Sequence, residues 1–398
     1  MHKILKISVL LLLTSSQLFA QEQNKMDSIY GFKMKVDLKA TSVKDQYKSG
    51  TCWSFSGLSF IESELLRMGK GEFDLSEMYI VNRDYHMRAI DYVRWNGAKS
   101  FSSGSEGCNV FNRIREFGIM PQEAYAGLNY GSTKHMNNEM DAALKAYIKA
   151  ITTNPNGKLS TAWLAGFDGI MNAYLGEIPE KFEYNGKNYT PLEFRDKLGI
   201  KVDDYIEFSS LTHHPLYTEF VMEVEDNWEL GTVYNVSLDE LTDIAFNALD
   251  KGYTVLWGGD VTELGFSWRN GIAIVPADET TEDMNGTDRE RLQQADKSNN
   301  QHPNLFKKLV AEENITPEMR QIAFDNRETT DDHGMHVTGY LTDRNGTRYF
   351  KVKNSWNTTN PYNGYIYMSE NFYRYKTLTI IVHKDAVPKD ILKKLNLK

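Results

Sequence analysis

The order of apolar patterns along the chain constrains its fold more than any other feature. Between Phe55 and Leu66, apolar residues recur at three- and four-residue spacing, which predicts an amphipathic helix. The last third of the chain carries short apolar runs between turn signals, and these predict strands at residues 336–341, 348–353, 364–368 and 378–383. Helices early and strands late indicate an α+β fold with two lobes.

Shorter signals add local structure to this outline. Ser237 and Glu240 form a capping box, which predicts that a helix starts at residue 238. The Asn185-Gly186 dipeptide between two Tyr-containing segments predicts a β-hairpin. Residues 138–151 have a helical pattern, but the surrounding range 131–225 is the least regular part of the chain. We therefore interpret 131–225 as an insertion between two better-defined halves.

The first twenty residues have the layout of a secretory signal peptide. Lys3 and Lys6 precede an apolar run at residues 7–13, and the small residue Ala20 ends the segment. The run is far shorter than the ~20 residues of a membrane span, so we expect export and no membrane-spanning segment. The expected organisation is a signal peptide at 1–20, a helical lobe at 21–130, the insertion at 131–225 and a β-rich lobe at 226–398.

The charge and cysteine content narrow the function classes. The 398 residues include 45 Lys and Arg against 54 Asp and Glu, a net charge of −9. Nucleic acids and anionic membranes are bound by basic surfaces, so this balance argues against both as partners. The two cysteines, Cys52 and Cys108, would by default form one disulfide in an exported protein. One reactive thiol beside one buried structural thiol is the alternative, and composition does not decide between them.

Cys52 lies at the predicted start of the first helix. Unpaired N–H groups and the helix dipole favour negative charge there, which lowers the pKa of a thiol and yields a nucleophilic thiolate. Gly50 permits a tight turn before the helix, and the amide of Gln46 can donate to a developing oxyanion together with the Cys52 N–H. The alternative interpretation is an ordinary buried core cysteine.

A thiolate nucleophile needs a base, and the base needs an orienting partner. His333 and His336 are the candidates for the base. The next predicted strand ends at Asn354, whose amide can hold one imidazole nitrogen and select the tautomer, while Trp356 can shield that hydrogen bond from water. The spacing of the two histidines fits neither a helical metal pair nor strand alternation, so we predict no metal site and no cofactor.

These motifs, in this order, resemble those of the papain-like cysteine peptidases. The chain has Gln46, then Cys52-Trp-Ser-Phe-Ser, then a histidine before Gly339-Tyr, then Asn354-Ser-Trp. Within the family it is most similar to the branch of bleomycin hydrolase and bacterial aminopeptidase C. The resemblance implies a papain-like two-lobed α+β fold, with a helical lobe, an antiparallel β-barrel-like lobe and a central insertion.

The resemblance also implies roles for individual residues. Cys52 is the expected nucleophile, Gln46 the oxyanion donor and Asn354 the orienting residue. His333 is the expected base, because it follows an acidic residue and lies six positions before a glycine, whereas His336 would face the opposite side of the strand. The implied substrate-binding residues are Gly104, Ser105 and Trp356, and a serine at 105 in place of a second glycine would narrow the cleft or shift the substrate.

Two further implications concern the cysteines and the C-terminus. Ser49 stands where the larger papain group has a disulfide-forming cysteine, which leaves Cys108 without that partner and favours a free Cys52. In the resembled branch the C-terminal tail lies in the cleft and restricts cleavage to the substrate N-terminus, and hexameric rings are common. Residues 385–398 are the candidate tail here, and a terminal helix docked on the body is the alternative.

The predicted function is therefore that of an exported cysteine peptidase acting on peptides, with aminopeptidase specificity and a possible homo-oligomeric state. Two alternatives stay open. One is an endopeptidase of the same fold. The other is a papain-like protein that binds peptides without cleaving them.

Overall fold

The computed structural model describes residues 23, 25–155, 157–277 and 305–397. The predicted signal peptide at 1–20 lies outside this part of the chain. None of the helices in the described ranges has both the length and the apolar content that crossing a bilayer requires.

One half of the molecule is built from helices that share a single apolar core. The helices are α1 (Cys52–Arg67), α2 (Glu77–Arg94), α3 (Gly107–Phe117), α4 (Asn138–Thr152), α5 (Trp163–Leu175) and α6 (Pro191–Leu198). Helix α1 is central to this half, since nearly every side chain from Trp53 to Leu65 is buried. A helix that is buried on all sides can hold its first residue in a fixed position, and that residue is Cys52.

The other half is organised around one open sheet. Its strands are β1 (Lys33–Asp37), β4 (Tyr205–Ser209), β5 (Glu219–Val221), β6 (Thr232–Asn235), β7 (Val255–Gly259), β8 (Phe266–Ser267), β9 (Ile272–Ala273), β10 (His333–Thr342), β11 (Arg348–Lys353), β12 (Tyr365–Ser369) and β13 (Thr377–His383). The strand order is β5-β6-β4-β13-β7-β10-β11-β12-β9-β8, and β1 also pairs with β10. The β4–β6 and β9–β12 pairs are parallel, and the other pairs are antiparallel.

The expected barrel-like lobe is wrong, although the α+β class is confirmed. Within the described residues the sheet runs from β5 at one edge to β8 at the other without closing on itself. Closure of a barrel depends on strand tilt and stagger between distant segments, and no local sequence pattern contains these.

Two helices from the far part of the chain cover one face of this sheet. They are α7 (Leu238–Asp250), which starts at the predicted Ser237–Glu240 capping box, and α9 (Glu370–Lys376). The shorter helices α8 (Pro317–Asp325) and α10 (Lys389–Lys394) lie nearby in the chain's last part. Apolar residues of α7, α9 and α10 share one core with β7, β10 and β11.

The range interpreted as an insertion contributes to both halves. Met140 of α4 and Phe167 of α5 are buried in the core of α1–α3. The predicted hairpin is formed by β2 (Phe182–Tyr184) and β3 (Lys187–Tyr189), with positive φ at Asn185 and Gly186 as a tight two-residue turn requires. Strands β4 and β5 extend the edge of the sheet. The division at 131 and 225 stays a prediction.

Removal of the α7 cap tests how much this helix depends on its first turn. The Ser237 side chain accepts from the Glu240 N–H and donates to Glu240 Oε2 at 2.8 Å. Replacing it, Ser237→Ala, should lower the free energy of unfolding by about 1 kcal/mol, because two groups at the helix start lose their partners. Urea denaturation measures this change. Asp243→Ala, at an exposed position of the same helix, is the control and should stay within about 0.5 kcal/mol of the parent.

Candidate active site

A cleft of about 650 Å³ separates the helical half from the sheet. Its helical wall carries Cys52 at the start of α1 and the loop at residues 102–107. Its sheet wall carries the start of β10 at His333, the β7 residues 256–258 and, from β13, Thr379 and Ile381. Cys52, His333, Gln46, Trp356, Gly104 and Ser105 all line this cleft, so the structure brings together six of the seven predicted site residues.

The start of α1 lies directly against the start of β10. A Cβ atom added at Gly334 would lie 2.8 Å from Ser56 Oγ, which is closer than side chains approach, and 3.4 Å from Trp53 Cα, which is an ordinary contact. The Gly334 backbone also hydrogen-bonds to the Cys52 sulfur. Gly50, with φ +68°, supplies the left-handed turn before the helix that the sequence predicts. Gly334 therefore lets the start of α1, with Cys52, lie close to the start of β10, with His333.

Asn354, the seventh predicted residue, is buried behind His333. It determines which nitrogen of the His333 ring carries the proton. Asn354 Oδ1 lies 2.8 Å from His333 Nε2 and accepts the Ser355 backbone N–H at 2.7 Å. The Ser355 donor identifies this atom as the amide oxygen, so His333 Nε2 must be the protonated nitrogen. His333 Nδ1 is then the nitrogen with a free lone pair, which a general base needs.

Aromatic rings cover the His333–Asn354 pair. The Trp356 ring lies 4.7 Å from the His333 ring, centroid to centroid, and Trp268 and Phe266 pack on Trp356 at 5.5 and 6.0 Å. His333 and Asn354 are each at most 5% exposed. Because water competes poorly there, the hydrogen bond that orients the imidazole is protected.

Gln46 is oriented by a residue that the sequence analysis did not select. Ser355 Oγ donates to Gln46 Oε1 at 2.5 Å, and the Ser355 carbonyl accepts the Gln46 backbone N–H at 2.8 Å. With its oxygen held by Ser355, the Gln46 amide has its NH₂ group available for the cleft. The middle residue of the Asn-Ser-Trp motif thus links the loop before α1 to the end of β11.

His336, the other candidate base, does not reach the cleft. It is fully buried behind α1, where its Nδ1 lies 2.9 Å from Ser59 Oγ and its ring contacts Phe60. Lys353 donates to the same Ser59 hydroxyl at 2.8 Å. The odd spacing along β10 places His333 and His336 on opposite faces, as strand alternation predicts.

Burial shifts both titratable groups of the pair towards their neutral forms. It raises the pKa of the Cys52 thiol to about 12; the Gly334 hydrogen bond opposes this rise, and the carboxylates of Asp331, Asp226 and Asp332 add to it. Burial also lowers the pKa of His333 to about 4, against the opposing effect of the Asn354 hydrogen bond. The sequence-based expectation of a lowered thiol pKa considered only the helix start and missed these larger effects.

The loop at Gly104 and Ser105 is held from behind by a buried arginine. Arg88 donates to the carbonyls of Gly104 and Ser102. The Ser105 hydroxyl accepts from Trp228 Nε1 at 3.1 Å, so it is engaged away from an incoming substrate. The carboxylate of Asp226 lies instead over Gly104, where an added Cβ would be 1.8 Å from Oδ2. Asp226 therefore occupies the space beside Gly104, and the narrowing of the cleft by Ser105 stays a prediction.

Neither cysteine is in a disulfide. The default pairing of Cys52 with Cys108 is therefore wrong, and the alternative of two separate thiols is what the structure contains. Cys108, on α3, lies near Glu207, and burial raises its pKa. It does not line the cleft, and its surroundings disfavour a thiolate.

The C-terminal segment packs on the body of the protein. Ile391 and Leu395 are buried against the core beside α7, and Lys394 forms a 2.6 Å ion pair with Glu240. Among the described residues, none after Ile381 lines the cleft. The docked terminal helix, the alternative in the sequence analysis, is thus the arrangement up to residue 397.

The histidines at 213 and 214 pack against each other outside the cleft. Their rings lie 4.2 Å apart, and His213 is hydrogen-bonded to Glu223 at 2.7 Å and to Gln321. The sequence analysis also missed Glu106 and Asp226, two carboxylates in the cleft. Glu106 directly follows the selected Gly104-Ser105 pair, so its position in the chain was the available signal. Nothing local in the sequence marks Asp226.

Thiol reactivity should depend strongly on His333. In a Cys108→Ser background, His333→Gln removes the imidazole that is expected to take the Cys52 proton, and the raised thiol pKa then controls the thiolate population. A raised pKa means that thiolate forms only in alkaline solution. We expect iodoacetamide labelling of Cys52 at pH 7 to fall by about 100-fold or more and to rise about tenfold per pH unit up to pH 10. Mass spectrometry gives the labelling rate, and half-maximal labelling below pH 9 would contradict the burial effect.

Two sequence models of known families match separate parts of the chain. The model described as papain family cysteine protease matches residues 32–165, which include Gln46 and Cys52. The model described as peptidase C1-like family matches residues 304–398, which include His333 and Asn354. Gln46, Cys52 and His333, which line the cleft, and Asn354, which lies behind His333, therefore all fall within family-matched segments.

Relatives match over most of the chain at low identity. Aminopeptidase W of Lactobacillus delbrueckii subsp. lactis is 24% identical over 401 residues, covering 90% of this chain and 84% of the relative. Aminopeptidase C of Listeria monocytogenes is 22% identical, with coverages of 90% and 84%, and bleomycin hydrolase of Gallus gallus is 22% identical, with 94% and 86%. The crystal structure of PepW from Lactobacillus rhamnosis shares the fold, with a TM-score of 0.69 at 20% identity over 92% of this chain and 84% of that chain. The chain is therefore a papain-like cysteine peptidase, related at low sequence identity to aminopeptidase C and bleomycin hydrolase.

Proposed function

We propose that the protein is a thiol aminopeptidase in which Cys52 is the nucleophile, His333 the general base and acid, Asn354 the orienting residue and Gln46 an oxyanion donor. The observation that carries this proposal is that Cys52, His333 and Gln46 line one cleft while Asn354 is hydrogen-bonded to His333 behind it. His333 Nδ1 has its lone pair free because Asn354 holds Nε2, and Cys52 shares the adjoining wall. This is the arrangement of nucleophile, base and orienting group that covalent catalysis requires.

Formation of the acyl-enzyme requires the negative charge on the Cys52 sulfur and the positive charge on His333 to appear together. As the sulfur attacks the substrate carbonyl, its proton passes to His333 Nδ1, so the thiolate and imidazolium charges offset each other. The carbonyl oxygen becomes an oxyanion, which the Gln46 amide and the Cys52 N–H can stabilise. That N–H is the first of α1 and has no partner within the helix.

The remaining steps return the enzyme to its starting state. His333 gives its proton to the leaving nitrogen, the C–N bond breaks, and the product amine departs from the thioester. Water then attacks the thioester carbonyl while His333 takes a proton from it. Collapse of this second oxyanion releases the carboxylic acid, and the proton on His333 returns to the Cys52 sulfur.

Aminopeptidase specificity is supported by the names of the relatives, three of which are aminopeptidases W, C and G. One observation favours an endopeptidase instead. The C-terminal segment up to residue 397 is docked beside α7 and leaves the cleft unfilled by chain from that end. Substrates with free and blocked N-termini separate the two activities.

The nucleophile is tested with matched cysteine variants. Cys52→Ala should abolish hydrolysis of alanyl-aminomethylcoumarin while the circular dichroism spectrum and melting temperature stay those of the parent. Cys108→Ala is the control, since Cys108 lies outside the cleft, and it should retain activity. Residual turnover by Cys52→Ala above the buffer rate would remove the assignment, and a parent protein with no peptidase activity would favour a non-catalytic binder.

In the same assay, acetylation of the substrate amine should lower the parent's kcat/KM by at least about 100-fold. Loss of the ammonium group removes a charge that an aminopeptidase must recognise. Equal cleavage of free and acetylated substrates would instead identify an endopeptidase.

We also propose that the chain is exported and that residues 1–20 are removed. Lys3, Lys6 and the apolar run that follows support this proposal. Intact mass of the protein recovered from a secreting bacterial host should correspond to a chain beginning at Gln21, and a retained Met1 would contradict it. The hexameric ring implied by the resemblance stays a prediction.

A further inference from the structure

Two adjacent histidines outside the cleft face one carboxylate at the edge of the sheet. His213 and His214 lie in the loop between β4 and β5, and Glu223 lies two residues beyond β5. His213 Nε2 is 2.7 Å from Glu223 Oε2, and His214 Nε2 is 3.6 Å from the same oxygen. Each residue offers one atom that can bind a metal ion, and the three atoms lie within 4.8 Å of one another. Adjacent side chains of a strand point to opposite faces, so it is the turn at this loop that brings both imidazoles to one side.

The Nε2 atom of His214 is the one that points most directly to a ligand. It is buried and has no hydrogen-bond partner among the described residues. Its 3.6 Å separation from Glu223 Oε2 is too long for a hydrogen bond. The His214 side chain as a whole is 28% exposed, so an ion can approach from solvent. A buried ring nitrogen without a partner costs free energy, and coordination to a metal ion would satisfy it.

Aromatic packing holds both imidazole rings in place. The Phe220 ring stacks on His214 at a centroid distance of 4.3 Å and an angle of 22°. The Phe324 ring stacks on His213 at 5.8 Å and 14°. Phe220 is 6% exposed and belongs to an apolar cluster beneath the loop, against which Phe324 also packs. The rings are therefore oriented by the fold before an ion binds, which reduces the entropy lost on binding.

Gln321 of α8 supports the tautomer of His213 that a metal ligand needs. Its Oε1 accepts the Thr212 backbone N–H at 2.7 Å and its Nε2 donates to Asp325 at 2.9 Å, which distinguishes the two ends of the amide. His213 Nδ1 lies 2.9 Å from Gln321 Nε2 and 3.2 Å from Oε1, so the amide can pair with either tautomer. When Nδ1 carries the proton, it donates to Oε1 and leaves the Nε2 lone pair for a metal ion. Metal-bound histidines are commonly held in this way by a neighbouring acceptor.

The ligand types and their separations suit zinc. Two imidazole nitrogens and one carboxylate oxygen are ligands for Zn²⁺, whereas Mg²⁺ and Ca²⁺ prefer oxygen ligands alone. Tetrahedral Zn²⁺ with bonds of about 2.0–2.1 Å places its ligands about 3.4 Å apart. The separations of 2.7 and 3.6 Å lie on either side of that value, and the Glu223 side chain, 55% exposed, can shift by less than an ångström to meet it. Water completes the fourth position.

We propose that His213, His214 and Glu223 bind one Zn²⁺ ion, with Gln321 as the residue that positions His213. The sequence-based prediction of no metal site was drawn from the spacing of the two histidines of β10, which lie elsewhere. Among the described strands, β5 is the last at its edge of the sheet. The ion joins the loop after β4 to the end of β5 and, through Gln321, to α8. It therefore stabilises this edge and takes no part in peptide hydrolysis, since none of its ligands lines the cleft.

Zinc titration of matched variants tests the site. A Cys52→Ala, Cys108→Ala background is used, because thiols also bind Zn²⁺. In that background, isothermal titration calorimetry at neutral pH should find one Zn²⁺ ion per chain with a Kd of about 10 μM or lower. His213→Gln, His214→Gln and Glu223→Gln should each weaken binding by at least about tenfold, because each removes one of three ligands. Glu223→Gln keeps the shape of a half-exposed side chain and is the variant least able to disturb the fold.

His86→Gln is the matched control. His86 Nδ1 lies 2.9 Å from Asp168 Oδ1, which makes the same kind of histidine–carboxylate pair, and no second histidine of the described residues joins it. This variant should bind zinc as the parent does. The proposal is overturned by a parent Kd above about 1 mM, or by parent-like binding in all three ligand variants. Binding of Mg²⁺ as tight as that of Zn²⁺ would also overturn it, because it would indicate attraction to negative charge alone.

Thermal unfolding and the peptidase assay define the role of the ion. Zn²⁺ at about 100 times its Kd should raise the melting temperature of the thiol-free parent by about 2 °C or more and leave that of Glu223→Gln unchanged. With both cysteines restored and a chelator present, Glu223→Gln should hydrolyse alanyl-aminomethylcoumarin at the parent's rate. Equal zinc shifts in the two proteins would overturn the stabilising role, and a lower rate for Glu223→Gln would overturn the separation of the ion from the cleft. Neither result depends on the residues assigned to catalysis.

Discussion

The close approach of helix α1 to strand β10 at Gly334 is the contact on which the site depends. A side chain at this position would press on the Ser56 hydroxyl and contact the Trp53 backbone. The contact places the first residue of a fully buried helix beside the first residue of a central strand, and these residues are Cys52 and His333. Strand β11, paired with β10, then delivers Asn354 behind the histidine. A rigid helix and two paired strands thus hold three chemical groups that are far apart in the sequence.

Electrostatics determines the resting state of the proposed catalytic pair. Burial and nearby carboxylates both oppose ionisation of the Cys52 thiol, and burial opposes protonation of His333, so the site favours a neutral thiol and a neutral imidazole. Under the proposed mechanism the proton therefore passes from the sulfur to the imidazole as the sulfur attacks, because the two opposite charges then offset each other.

The local elements were predictable where a local signal decides the structure. The apolar stripe of α1, the Ser237 capping box and the Asn185-Gly186 turn each correspond to an element in the expected place. Helix α2 and strands β4–β6 were not predicted, because their burial arises from neighbours that are distant in the chain. The barrel-like lobe was wrong for a related reason, since whether a sheet closes depends on how its edge strands are staggered. The tail at 385–398 could be described as helical from its spacing, but its docking beside α7 needed the partner surface.

The sequence by itself determined which residues are candidates for the chemistry and in what order they occur. It placed Cys52 at a helix start, distinguished His333 from His336 through strand alternation and put Asn354 at a strand end, because each of these depends on short-range patterns. Only the tertiary structure decided their environment. It revealed that nearby carboxylates oppose ionisation of the thiol, that Ser355 orients Gln46, and that Asp226 lies over Gly104. Burial and electrostatic fields are sums over residues from every part of the fold, so no segment of the chain contains them alone.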